Sequence, residues 1–195
     1  FKDPILVLIG LVCLHKFSGI YYQRIQLQII GNMYDWDPSA TVGFINMVEI
    51  SMAIVCTCLV NYMEKKYLLV ISGFGMAVML ALMNITYITY GLLPTENTLL
   101  PTFTFIYIIF YSIGYGPLLW VIMPEICPRQ TRLWTSGFTV SLYALLSLII
   151  DQPFYNFIIV MYYDVNFVLL YFTIVCTTGA VLTHIYMPET KDYKY

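Results

Sequence analysis

The sequence predicts an all-α integral membrane protein of six transmembrane helices. Three observations carry this: the composition, the length and number of the apolar runs, and the placement of positive charge between them. Of the 195 residues, 60% are hydrophobic, 17% aromatic and only 10% charged, whereas a soluble domain carries about 25% charged residues. Too little polar surface remains to face water, so the lipid bilayer is the expected solvent and partner. A formal net charge of −2 supplies no basic field, and nucleic acid is not expected to bind.

The apolar runs lie at about 4–32, 40–61, 67–92, 99–123, 133–151 and 166–187. Each is long enough to cross roughly 30 Å of hydrocarbon as a helix. The first ends at Asp35-Trp36-Asp37-Pro38-Ser39, and the second at the polar stretch Asn61 to Lys66. Pro94-Thr95-Glu96-Asn97 closes the third, the stretch from Pro124 to Arg132 closes the fourth, and Asp151-Gln152-Pro153 closes the fifth. All five separators carry turn and helix-breaking residues. The Tyr- and Phe-rich piece 154–163 is too short to span and reads as an interfacial segment or an extension of the fifth helix.

Lys2, Lys65, Lys66, Arg129, Arg132, Lys191 and Lys194 fall at one set of ends, and Asp35, Asp37, Glu96, Asp151 and Asp164 at the other. This positive-inside asymmetry predicts that both termini of the segment are cytosolic. Asn84-Ile85-Thr86 has the spelling of a glycosylation site but falls inside the third run, which argues against its use. Cys13, Cys56, Cys58, Cys127 and Cys176 are odd in number and mostly lie within apolar runs. They read as small helix residues, with neither a disulfide framework nor a metal site. The chain starts on Phe1 with no charged leader before the first run, which predicts a piece of a longer protein whose remainder lies upstream.

Lys16, Arg24 and Glu49 lie within the first two runs. A charge in hydrocarbon costs at least about 2.5–3.5 kcal/mol at a helix centre, so such groups face a bundle interior, a partner or water. For Arg24 the alternatives are snorkelling to the outer interface and a place in a polar cavity. For Lys16 and Glu49 they are a structural ion pair between the first two helices and a role in a solute or ion pathway.

Gly114-Tyr115-Gly116-Pro117-Leu118-Leu119-Trp120 runs into Glu125-Ile126-Cys127-Pro128-Arg129-Gln130-Thr131-Arg132. Gly and Pro together loosen a helix and free backbone groups that only a protein-lined or wet cavity satisfies. Trp120 offers a flat apolar face suited to stacking on a sugar ring. The stretch resembles the tenth helix of the sugar porter family, the sugar and facilitated trehalose transporters of the major facilitator superfamily, whose pattern is G-x-G-P-x-P-W followed by E-x-x-P-x-x-x-R. Phe17-Ser18-Gly19-Ile20, Asn61-Tyr62-Met63-Glu64-Lys65-Lys66 and Pro188-Glu189-Thr190-Lys191 resemble further motifs of that family, in the same order. These are the L-S-G-I of its seventh helix, its cytosolic D-x-x-G-R-R loop and its P-E-T-K ending.

The resemblance implies that residues 1–195 are the C-terminal six-helix half of a twelve-helix carrier. The solute site would then lie near the membrane midplane, against an N-terminal half that this chain lacks. It also implies gating roles for Lys65, Lys66, Glu125, Arg132 and Glu189, which in the family form ion pairs between cytosolic helix ends. Trp120, His15, Lys16, Tyr21, Glu49 and Tyr143 fall at positions that contact solute in the family. Only Trp120 keeps the family's residue; the rest replace amides that bond sugar hydroxyls. Leu119 stands for the second proline, and Glu64 for the glycine of the gating loop.

The substitutions turn a neutral site into a charged one, which suits a charged or zwitterionic solute, or a proton. Lys16 and Glu49 are expected to meet across the first two helices, and His15 to titrate beside them. With only His15 and His184 as histidines, no phosphate loop and no metal-ligand spacing, the sequence predicts no enzyme, cofactor or metal. Transmembrane transport of a small polar solute, a sugar first, by alternating access is the leading expectation, and the plasma membrane is the family's commonest address. The alternatives are a transporter-like sensor that binds without moving its ligand, and a non-functional truncated product.

Overall fold

The computed structural model describes residues 4–90, 98–127, 130–151 and 165–187, and every regular element among them is helical. The first apolar run is two helices, α1 (Pro4–Phe17) and α2 (Ile20–Met33), of 14 residues each. At 1.5 Å per residue each is about 21 Å long, so the membrane is crossed only by the pair. The break lies at Ser18-Gly19, where Gly19 takes a left-handed φ of 85° that a side chain disfavours. A Cβ there would also lie 2.7 Å from the ring of Phe172. The hydroxyl of Ser18 donates to the His15 carbonyl at 2.8 Å. The freed Ser18 carbonyl accepts from the Tyr107 hydroxyl at 2.8 Å and from the Cys176 thiol at 3.7 Å. The opened backbone is therefore paired inside the protein, as the bilayer requires.

Helix α3 (Pro38–Tyr62) starts with proline in its first turn, and the Asp37 carboxylate accepts from the Ser39 N–H at 3.2 Å. Proline at this end wastes no hydrogen bond and the acidic cap satisfies an orphan donor. After Met63 and Glu64 the chain re-enters the membrane as α4 (Lys65–Tyr90).

The fourth run is again divided, into α5 (Leu99–Ile113) and α6 (Tyr115–Ile126), with Gly114 between them. Pro117 explains the position, because a proline has no N–H to offer the carbonyl four residues earlier and its ring crowds that carbonyl. The residue four back is Ile113, the last of α5. Ser72 of α4 fills the gap, donating to the Phe110 carbonyl at 2.7 Å and accepting from the Tyr115 N–H at 3.3 Å. A side chain on Gly114 would collide with Ser72.

Helix α7 (Arg132–Leu146) runs on into a π turn, Ser147–Asp151, and α8 (Val165–Tyr186) follows. Five stretches are long and apolar enough to cross a membrane: Pro38–Tyr62, Lys65–Thr89, Leu99–Ile126, Arg132–Asp151 and Val165–Tyr186. The divided α1–α2 run is not among them, since each of its helices has only 14 residues. The aromatic piece 154–163, the separator 94–97 and the P-E-T-K ending with Glu189 lie outside the described residues.

Helix α4 packs between α5 and α8, α1 leans on α6, α7 and α8, and α2 leans on α3 and α5. Their shared core includes the fully buried Leu69, Met76, Leu80, Tyr107, Ile108 and Leu169. Lipid tails are as apolar as these side chains, so close packing and hydrogen bonds hold the bundle, and small residues such as Gly75 against Phe110 bring helices together. By contrast, α3 and α7 are little buried and expose Phe44, Met47, Ile50, Leu133, Trp134 and Phe138. Cys56 is buried and Cys58 exposed, on different sides of α3. Asn84 is buried and gives its amide to the Asn166 carbonyl at 2.9 Å, which commits the glycosylation-like asparagine to packing.

Candidate functional site

Tyr143 on α7 is the centre of the site. The rings of His15 and Trp120 meet it edge-on, with centroids 5.4 and 5.3 Å away, an arrangement favoured by the ring quadrupoles. The Lys16 ammonium lies 4.1 Å above the centre of the same ring, within reach of a cation–π attraction. Four of the six solute-contact residues expected from the sequence, His15, Lys16, Trp120 and Tyr143, therefore converge. The break at Ser18-Gly19 ends α1 just beyond His15 and Lys16, and the break at Gly114 starts the helix that carries Trp120.

The expected pairing of Lys16 with Glu49 is not what forms. Lys16 Nζ lies 2.9 Å from Asp151 Oδ2, and Glu49 instead binds Arg24, whose Nη2 lies 2.5 and 2.6 Å from its two oxygens. The reason is where α1 and α2 lead. Lys16 is on α1, which packs against α7, whereas α3, the helix of Glu49, packs against α2. The π turn carries Asp151 at its end, where it reaches Lys16. Arg24 spans to Glu49 on α3.

His15 is 4% exposed, and its Nε2 is 2.7 Å from the Tyr111 hydroxyl. Among the described residues its Nδ1 has no hydrogen-bond partner. Tyr21 is 41% exposed. It lines an open cleft together with Lys16, Tyr22, Asp151, Tyr171 and Phe172.

Asp151, Tyr111 and two buried amides were not singled out from the sequence. Gln23 is wholly buried with neither polar atom bonded, and Gln26 is buried with Oε1 unpaired. The available signal was polar residues inside an apolar run, which are costly and tend to be functional. For Asp151 there was none, because it sits at the end of its run.

On the opposite side of the bundle, Lys65 at the start of α4 donates to both oxygens of Glu125 near the end of α6. These two residues of the expected gating set are in contact. Lys66 is half-buried and Arg132 exposed, and neither is ion-paired among the described residues. Glu64 holds Oε2 buried without a partner.

The model of the "Sugar (and other) transporter" family matches residues 1–194. The chain is 27% identical over 194 residues to a probable metabolite transport protein, CsbC, of Bacillus subtilis, covering 97% of this chain and 41% of that one. It is 26% identical to a facilitated trehalose transporter, Tret1, of Bombyx mori, covering 98% and 38%. Among solved structures it is similar in fold to the proton:xylose symporter XylE of the major facilitator superfamily. The TM-score there is 0.83 at 16% identity, over 95% of this chain and 40% of that one. The chain thus spans about two fifths of the length of these relatives. It is a multi-pass membrane protein with the fold of one half of such a transporter, and it belongs to the sugar (and other) transporter family.

Proposed function

We propose that this chain forms the C-terminal half of a twelve-helix carrier that moves a small polar solute, a sugar in the first instance, by alternating access. The observation that carries the reading is the convergence of His15, Lys16 and Trp120 on Tyr143, between two helices that are broken beside it. Broken helices at a solute site expose polar backbone where a cavity is lined by protein. Trp120 is 43% exposed and offers its indole face to a ring-shaped solute. The relatives named for trehalose and xylose support a sugar as the first class to test.

The exposed apolar faces of α3 and α7 flank the site and suit contact with a second six-helix half. Lys65–Glu125 then acts as the cytosolic latch, made in one state and broken in the other, with both termini of the segment on that side. Lys65, Lys66 and Arg132 favour this orientation by the positive-inside rule. The substituted amide positions favour one rival, a protein that binds solute without moving it.

The test is uptake of labelled glucose, xylose and trehalose into vesicles that contain the full-length protein. Saturable uptake that falls at least about tenfold in Trp120→Ala, a loss of about 1.4 kcal/mol, supports the carrier. Solute binding with no flux overturns it in favour of the sensor.

A further inference from the structure

An ammonium group already occupies a defined place beside the solute site. Lys16 Nζ is held 2.9 Å from the Asp151 carboxylate and 4.1 Å above the Tyr143 ring. A carboxylate and an aromatic face are the two elements that recognise organic ammonium ions. The group that fills this place is tethered to the protein by a flexible four-carbon stem, and so can leave it without unfolding anything. Lys16 and Asp151 both line the open cleft, with side chains 10% and 18% exposed. The pair is therefore reachable from open space while most of its surface is shielded from water.

We infer that the cleft accepts a small zwitterion, whose ammonium takes the place of Lys16 Nζ on Asp151 and Tyr143 and whose carboxylate pairs with the displaced Lys16. Charge balance selects this class. A cation that displaced Lys16 would leave the lysine unpaired in a shielded cleft, and an anion that captured Lys16 would leave Asp151 unpaired. Stranding one member of a shielded pair is the costly outcome. A zwitterion inserted between the two leaves every charge paired. A neutral polyol brings no charge to pair with either member once the two part.

The second ion pair points the same way. Arg24 and Glu49 are already joined on two prongs and contribute no net charge to attract an ion of one sign. Each pair sets one cation against one carboxylate. The inference rests on the transport reading for movement of the solute, but recognition is measurable without it.

The experiment is calorimetric titration of the full-length protein in lipid nanodiscs with three probes of matched length: γ-aminobutyrate, butyrate and butylammonium. The expected result is saturable binding of γ-aminobutyrate at least about tenfold tighter than either singly charged probe, the factor that one unpaired charge costs at a partly shielded site. Lys16→Gln and Asp151→Asn are each expected to remove this preference, with thermal unfolding of the variants confirming that they fold. Should neither variant fold, the ranking of the three probes on the unaltered protein decides. No saturable binding of γ-aminobutyrate, or equal binding of butylammonium, overturns the inference. Hexose flux without γ-aminobutyrate binding overturns it and leaves the carrier standing. Binding of γ-aminobutyrate with no flux of any solute supports it and overturns the carrier instead.

Discussion

Arg24 holds Glu49 with both ends of its carboxylate, Nη2 at 2.5 and 2.6 Å and Nε at 2.9 Å. The pair joins α2 to α3, while Lys16 is committed to Asp151. With side-chain exposures of 39% and 20%, it lies between a surface pair worth about 0–1 kcal/mol and a buried one whose breaking costs about 3–5 kcal/mol. Arg24→Gln and Glu49→Gln are each expected to lower stability by about 1–3 kcal/mol, and the double variant to recover most of that loss. Lys16→Gln combined with Glu49→Gln is expected to be additive, since the two do not touch. Unfolding of the three single and two double variants in detergent, treated as two double-mutant cycles, checks this.

Gly19→Ala meets two obstacles, the left-handed φ of 85° and the ring of Phe172 at 2.7 Å. The first costs about 1–2 kcal/mol and cannot be relieved by a neighbour. The second can. Phe172→Ala is destabilising by itself but is expected to restore part of the loss in Gly19→Ala, leaving the dihedral cost. A double variant no more stable than the sum of the singles would show that the ring contact contributes nothing.

Ser72 and Gly114 form the second matched set. Ser72→Ala leaves the Phe110 carbonyl and the Tyr115 N–H without their bridge, at a cost of about 1–3 kcal/mol for buried polar groups. Gly114→Ala is expected to be at least as damaging because its Cβ lands on Ser72. Adding Ser72→Gly to Gly114→Ala removes the collision, so a gain in melting temperature over Gly114→Ala alone is expected.

The latch proposed for Lys65 and Glu125 has a reporter two residues from Glu125. Cys127 is 1% exposed, and burial raises its thiol pKa. At neutral pH it is therefore protonated and unreactive, and its reactivity rises as pH approaches that raised pKa. Lys65→Gln removes the Lys65–Glu125 pair and is expected to speed alkylation of Cys127 several-fold at a fixed pH near 7. Peptide mapping separates Cys127 from the exposed Cys58. Unchanged labelling of Cys127 in Lys65→Gln would mean that the pair does not hold this end closed.

What could be read from one dimension was whatever depends on composition and order. Spans 40–61, 67–92, 133–151 and 166–187 agree with α3, α4, α7 with its π turn, and α8 to within a few residues, because the bilayer demands a fixed apolar length. The Gly and Pro of the fourth run announced a loosened helix, and the arithmetic of Pro117 places its break at Ile113. The family resemblance put Lys65 and Glu125 in one set of five charged residues, and these two are in contact.

The first run looked like one helix from 4 to 32, yet Gly19 divides it, since a left-handed residue against Phe172 is decided by α8, far away in sequence. The choice of ion partners is of the same kind. Charge alone allowed Lys16 to meet Glu49, and distance along the chain even favoured it. Side chains of opposite sign attract without regard to sequence, however, so the pairing was settled by which helices touch: α1 against α7 brought Asp151 to Lys16, and α2 against α3 brought Arg24 to Glu49. The sequence by itself determined that this chain lives in a membrane as a bundle of apolar helices with charges inside; only the tertiary structure decided which charges answer each other, because packing, and not order, sets the distances at which Coulomb attraction and hydrogen bonding act.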